Sequence, residues 1–137
     1  MRNEYAFMSN YYPCKVTYNG LTYGSSEAAY QAQKEPDPEK RKLYCETSPS
    51  MARLLSEQIT MPPAWYLIKD QIMYEVNKAK FVQNEGFKEL LLEVSEDIVQ
   101  ENTWNDTYWG VCNGTGLNKF GEILTKIREE FEKEANA

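Results

Sequence analysis

The chain has 137 residues, the length of one ordinary domain with a single sizeable core, and its 42% hydrophobic content holds no uninterrupted apolar run fit to cross a membrane. Fifteen Lys and Arg against 21 Asp and Glu leave a net charge of −6, which argues against a broad footprint for duplex DNA or anionic membrane but allows a local basic pocket. Histidine is absent, so any chemistry must run on carboxylates, lysines, tyrosines or backbone.

The opening residues, MRNEYAFMSN, carry acid and amide early, unlike a secretory signal, and the three widely spaced cysteines, Cys14, Cys45 and Cys112, read as reduced thiols of a cytoplasmic protein. In CKVTYNGLTYGSS, Val16, Tyr18, Leu21 and Tyr23 flank Asn19-Gly20, a turn pair that tolerates positive φ, which predicts a short β-hairpin. Ser25-Ser26 then offers an N-cap to a helix EAAYQAQK that stops near Glu35-Pro36, with Glu27 in its first turn, where an acid suits the dipole. Asp37-Pro38 and Ser48-Pro49 each pair a capping side chain with a proline at the first helical position, starting two short helices. The longest periodic segment opens at Pro62-Pro63 and runs toward Asn84, with Trp65, Ile68, Ile72, Val76 and Ala79 as its apolar stripe. Beyond a break at Gly86, FKELLLEV reads as helix and DIVQEN as a brief extended piece. The last helix places Phe120, Ile123, Leu124, Ile127 and Phe131 on one face, with Asn118 as its cap and a solvated acidic tail beyond Glu129.

The irregular run from Asn102 to Leu117 is long for a compact domain, and an ordered aromatic loop leading into a helix N-terminus suits a planar ring beside an anion, as in a nucleotide-like ligand. Trp104, taken alone, is expected in the core. Asp106, in Asn-Asp-Thr, reads equally as an Asx-turn residue, and Glu27 as a simple dipole partner. Lys34, two turns after Glu27, would bring a cation toward the same pocket. Gly114, Gly116 and Gly121 follow no strand of a βαβ unit, so a dinucleotide fingerprint fails on context.

Taken together, FMSNYYP (7–13), YGSSEAAYQAQK (23–34), Trp65 followed by KFVQN (80–84), and NDTYWGVCNGTGLNKFGEILTKIR (105–128) resemble the NADAR family, also called the YbiA-like or DUF1768 family. The resemblance spans nearly the whole chain. It implies one α+β domain over 1–137, mainly helical with short N-terminal strands, and an N-glycosidase that needs no metal or cofactor. The implied substrates are ribosyl compounds: early riboflavin-pathway intermediates or, in other members, ADP-ribose carried on nucleobases. It further implies Glu27 and Asp106 as catalytic acids on either side of a ribose. Asn10, Lys34, Lys80, Trp109, Gly110, Asn118 and Arg128 are the implied substrate-binding residues, with Trp109 stacking, Lys34 or Arg128 on phosphate, and the 114–118 backbone donating N–H groups. Two positions depart from the family pattern: Ala28 stands where a histidine often follows the glutamate, and Cys112 where a glycine is common.

The physical chemistry agrees with such a reaction, because breaking a ribosyl C–N bond builds positive charge on the sugar that a carboxylate stabilises. Two other classes stay open. One is a non-catalytic nucleotide or ADP-ribose sensor, which Ala28 favours; the other is an interaction protein using its ten tyrosines as a partner surface.

Overall fold

A computed structural model describes residues 3–137, so Met1 and Arg2 of the opening stretch lie outside the described residues. The fold is α+β and mainly helical, and the chain forms two compact units, Asn10–Glu85 and Met1–Ser9 with Gly86–Ala137. Among the described residues no helix is long and apolar enough to cross a membrane.

The first unit opens on the hairpin, β1 (Val16–Tyr18) antiparallel to β2 (Leu21–Tyr23), with Val16 opposite Tyr23 and Tyr18 opposite Leu21. Asn19 and Gly20 take φ of 49° and 84°, the left-handed turn whose twist matches the strands. Val16 and Tyr23 point into the core. Helix α1 (Ser26–Ala32) starts as anticipated, with the Ala28 N–H donating to Ser25 Oγ at 3.0 Å, but ends two residues earlier than its sequence suggests. Lys34 therefore sits in the turn after α1, its N–H on the Gln31 carbonyl, and not on the helix itself. All seven residues of α1 are buried.

Asp37 and Ser48 cap as anticipated, accepting from the Glu39 and Met51 N–H groups at 3.0 and 3.1 Å. The first of these helices is only α2 (Pro38–Arg41) before it tightens into a 3-10 segment, Lys42–Glu46; the second is α3 (Pro49–Ser56). Helix α4 (Trp65–Gln83) is the long one. Its buried face differs from the anticipated stripe: Ile68 is 49% exposed, while Met73, Asn77 and Lys80 lie inward at i, i+4 and i+7. Apolar periodicity cannot choose Asn or Lys as core residues, so the polar part of this face is invisible to it. At the far end of α4 the Gln83 amide pairs with both backbone groups of Thr17, accepting at 2.7 Å and donating at 2.8 Å, and so closes the open edge of β1.

In the second unit, α5 (Glu85–Glu93) includes Gly86 in its first turn instead of breaking there. The 97–102 stretch is extended, as anticipated, but pairs only through a single bridge, Glu101 with Val111. Helix α6 (Lys119–Ala135) buries Phe120, Leu124, Ile127 and Phe131, and the acidic tail forms its last turns. Lys88 of α5 lies 4.8 Å over the Phe131 ring, and the Phe7 and Phe87 rings meet at 6.2 Å.

Candidate functional site

The Asn10–Glu85 unit contains Asn10, Glu27, Lys34 and Lys80. Glu27 is 8% exposed at the start of α1, a placement that strips water from a carboxylate unless polar neighbours replace it. They do so: Gln31, one turn on, donates to Glu27 Oε2 at 3.1 Å, and the Asn10 amide donates to Oε1 at 3.4 Å. Asn10 is the hub of this web. Its backbone carbonyl accepts the Glu27 N–H at 3.0 Å, and its side-chain oxygen accepts from Ser26 Oγ at 2.5 Å and from Asn77 Nδ2 at 3.1 Å. Burial pushes the Glu27 carboxyl above its ordinary range, and the Gln31 and Asn10 hydrogen bonds, with attraction from Lys34 and Arg53, pull part of the way back. The group is an acid whose ionised form is costly, the kind of perturbed carboxyl that functional sites use.

Lys34 lies 5.6 Å from the Tyr30 ring centroid and 5.8 Å from that of Trp65, while those two rings are 5.6 Å apart. Its ammonium is pulled below the usual lysine value by burial, opposed by Glu27 and Glu57 and aided by the like charges of Arg53 and Lys69. Lys34 and Arg53 thus bring positive charge to the Glu27 neighbourhood. Lys80, by contrast, is fully buried on α4 and lowered to about 8 by burial, a shift that Cys14 opposes. Its side chain is enclosed by protein. Ala28 has no exposure, so the position after Glu27 is a packed methyl group.

The other unit holds Asp106, Trp109, Gly110, Asn118 and Arg128, and here the chain itself uses most of the anticipated groups. Asp106 Oδ1 accepts from the Tyr108 and Trp109 N–H groups at 3.1 and 2.9 Å, the Asx-turn arrangement. Within the 114–118 segment, anticipated as a source of N–H groups for substrate, three of the five N–H groups are engaged by backbone carbonyls. Thr115, Leu117 and Asn118 donate to the carbonyls of Cys112, Thr107 and Gly110, and Lys119 and Phe120 donate to those of Tyr108 and Trp109. The first two N–H groups of α6, those of Lys119 and Phe120, are thereby used from within the unit.

Asn118 stands at the cap position, but with φ 54° and no side-chain capping bond. Its amide instead accepts the Gln100 N–H at 2.9 Å and donates to the Ile98 carbonyl at 2.9 Å, completing the ladder of the extended stretch. Arg128 donates to the carbonyls of Val94 and Glu96 at 2.7 and 3.0 Å, holding the turn after α5. A Cβ on Gly110 would overlap the Gln100 carbonyl oxygen, so this glycine serves close backbone approach. Trp109 is half-buried and edge-on to Tyr108 at 4.9 Å. Trp104 is 60% exposed, which overturns its expected core role. A depression of about 410 Å³ in this unit is lined by Asp97, Glu122 and Glu129 against Lys126, a balance that repels phosphate.

Sequence reasoning did not select Ser26, Gln31, Arg53 or Asn77. The Glu27–Gln31 spacing of i, i+4 was the available signal for Gln31, and the polar Asn77 and Lys80 in step with Met73 were the signal for α4.

The family model of the NADAR domain matches residues 1–132. The chain is 34% identical over 136 residues to "Riboflavin biosynthesis protein VVA0006" of Vibrio vulnificus, covering 96% of this chain but only 37% of that protein's length. It is 32% identical over 133 residues to "N-glycosidase YbiA" of Escherichia coli K12, covering 94% of this chain and 83% of that one. The NMR structure of the E. coli protein YbiA superposes with a TM-score of 0.85 at 30% identity, over 97% of this chain and 82% of that one. With the family model running through both units and a relative of similar length at 32% identity, the chain belongs to the NADAR family.

Proposed function

We propose that this member of the NADAR family is an N-glycosidase that hydrolyses the C1′–N bond of a small phosphorylated ribosyl compound, with a ribosylaminopyrimidine phosphate of the riboflavin route as substrate. The observation that carries this reading is Glu27: a buried carboxylate oriented by Asn10 and Gln31, with Lys34 and Arg53 supplying positive charge. In the reaction the C1′–N electron pair leaves with the base nitrogen, and the ribose becomes an oxocarbenium-like cation that the Glu27 carboxylate stabilises. Water adds at C1′ and its proton passes through Glu27 to the departing nitrogen, leaving Glu27 ionised again; the products are the free base and a ribose phosphate. Lys34 and Arg53 would balance the phosphate. A net charge of −6 disfavours a nucleic-acid substrate and supports a small molecule. The family match over 1–132 supports one functional domain, and the free thiols of Cys14, Cys45 and Cys112 suit a cytoplasmic location.

Asp106 takes a positioning role in this scheme, since its Oδ1 already holds two N–H groups. The test is base release, followed by chromatography, from ribosylaminopyrimidine phosphates and, in parallel, from ADP-ribosylated guanine in nucleic acid. Release from the first is expected, and silence on both sinks the reading. Glu27→Gln preserves shape and removes the charge, and should lower kcat by roughly 10²–10⁴-fold.

A further inference from the structure

The Asn10 amide could in principle turn either end toward Glu27, and only one end helps an ionised carboxylate. A chain of contacts selects that end. It begins at the Met73 carbonyl, which can only accept. Asn77, on the next turn of α4 and fully buried, donates its Nδ2 to that carbonyl at 3.0 Å, so its amide cannot be reversed without facing oxygen to oxygen. The same NH2 group donates to Asn10 Oδ1 at 3.1 Å. With Ser26 Oγ also on Oδ1 at 2.5 Å, the Asn10 NH2 is left to face Glu27 Oε1 at 3.4 Å and Met73 Sδ at 3.5 Å.

We infer that Asn77 is a positioning residue: anchored by the Met73 carbonyl, it fixes the Asn10 amide with its NH2 toward Glu27, and so sets the hydrogen bond that supports the working carboxylate. Ser26 cannot set this direction alone, because a hydroxyl donates to an oxygen or accepts from an NH2 with equal ease. Without Asn77 the amide is free to turn its oxygen to Glu27, lone pair against carboxylate, which favours the protonated acid.

The inference rests on Glu27 as the reacting carboxylate. Around Glu27, the charges that reach it are Lys34, after α1, and Arg53, on α3. Through Asn10, helix α4 presents the neutral Met73 and Asn77, and it also carries Lys80, which burial lowers to about 8. Tyr23, Tyr44 and Cys45, on the hairpin and the 3-10 segment packed against α1, are each raised by burial and stay neutral at acidic pH.

The experiment compares Asn77→Leu and Ser26→Ala in the full chain. In the pH profile of kcat/KM, Asn77→Leu should move the acidic limb upward, with a loss of about tenfold on its acid side, the worth of one charge-assisted hydrogen bond. Ser26→Ala, which leaves the anchored Asn77 contact to Asn10 in place, should move the limb less than Asn77→Leu does. The Glu27 carboxyl is followed in parallel by ¹³C NMR titration, its resonance identified as the one that Glu27→Gln removes; this readout needs no turnover, so it tests Asn77 even where the substrate assignment fails. Asn77→Ser, too short to reach Asn10, carries the same expectation should Leu not be accommodated. A folded Asn77 variant whose Glu27 titrates as in the parent overturns the inference.

Discussion

Glu27 carries a stability cost that the proposed reaction would put to use. Its folded value is raised above the ordinary 4.5, so the native state holds the proton more tightly than the unfolded chain does. The penalty is therefore absent below the ordinary carboxylate range, grows as pH rises through the window up to the raised value, and is complete above it. Glu27→Gln should accordingly raise stability at pH 7.5 by about 1 kcal/mol, a melting-temperature gain of roughly 4 °C, and the gain should shrink toward pH 4. Thermal melts of both proteins at the two pH values check this; a larger gain at the acid end would refute the sign. Asp106 makes the opposite case. Asp106→Asn keeps an acceptor for the Tyr108 and Trp109 N–H groups and should retain most of the activity and stability, whereas Asp106→Ala strands both donors and should cost about 1–2 kcal/mol in urea unfolding. Loss of turnover in a stably folded Asp106→Asn would return Asp106 to the reacting groups. Both acids were legible in the sequence as candidates. Their different surroundings were not, because which donors reach a carboxylate depends on contacts such as Asn10 to Glu27, 17 residues apart, and Asn77 to Asn10, 67 apart.

Elements followed their local rules closely. The Asn19-Gly20 turn and the caps Ser25, Asp37 and Ser48 each act within a few residues, and each formed where the sequence placed it. Asn118 shows where local rules end: it occupies the cap position, but its amide is drawn to backbone groups at 98 and 100, which no short-range pattern reveals. The engaged N–H groups at the start of α6 escaped notice for a related reason, since pairing between backbone at 107–110 and at 117–120 leaves no side-chain signature. Gly121, on the first turn of α6, belongs to the same arrangement. A methyl there would overlap the Ile98 carbonyl and the Asn118 amide, so Gly121→Ala should destabilise by about 1–3 kcal/mol although alanine is the better helix former. Chemical unfolding measures it; an unchanged midpoint would mean that the 98–100 stretch yields freely.

For the whole molecule, the proposal of one domain has a direct physical test. Trp65 lies in the Asn10–Glu85 unit, and Trp104 and Trp109 lie in the other. Variants retaining fluorescence from only one unit, followed beside far-ultraviolet circular dichroism, should give superimposable urea transitions if the chain folds as one cooperative body. Separated midpoints would define two domains. The chain spans 37% of the Vibrio protein's length, against 83% of the E. coli YbiA chain, so the test concerns a unit that occurs both nearly alone and inside a longer polypeptide. One further consequence follows from α1, whose seven residues are all buried. An ordinary amphipathic helix accepts replacements along its wet side, so a saturation library across it yields a tolerance profile with a 3.6-residue beat. Across Ser26–Ala32 that beat should vanish, leaving seven adjacent positions almost equally intolerant. A lineage altering substrate preference would then find its permissive sites beyond the end of this block, as at Lys34, and not within it.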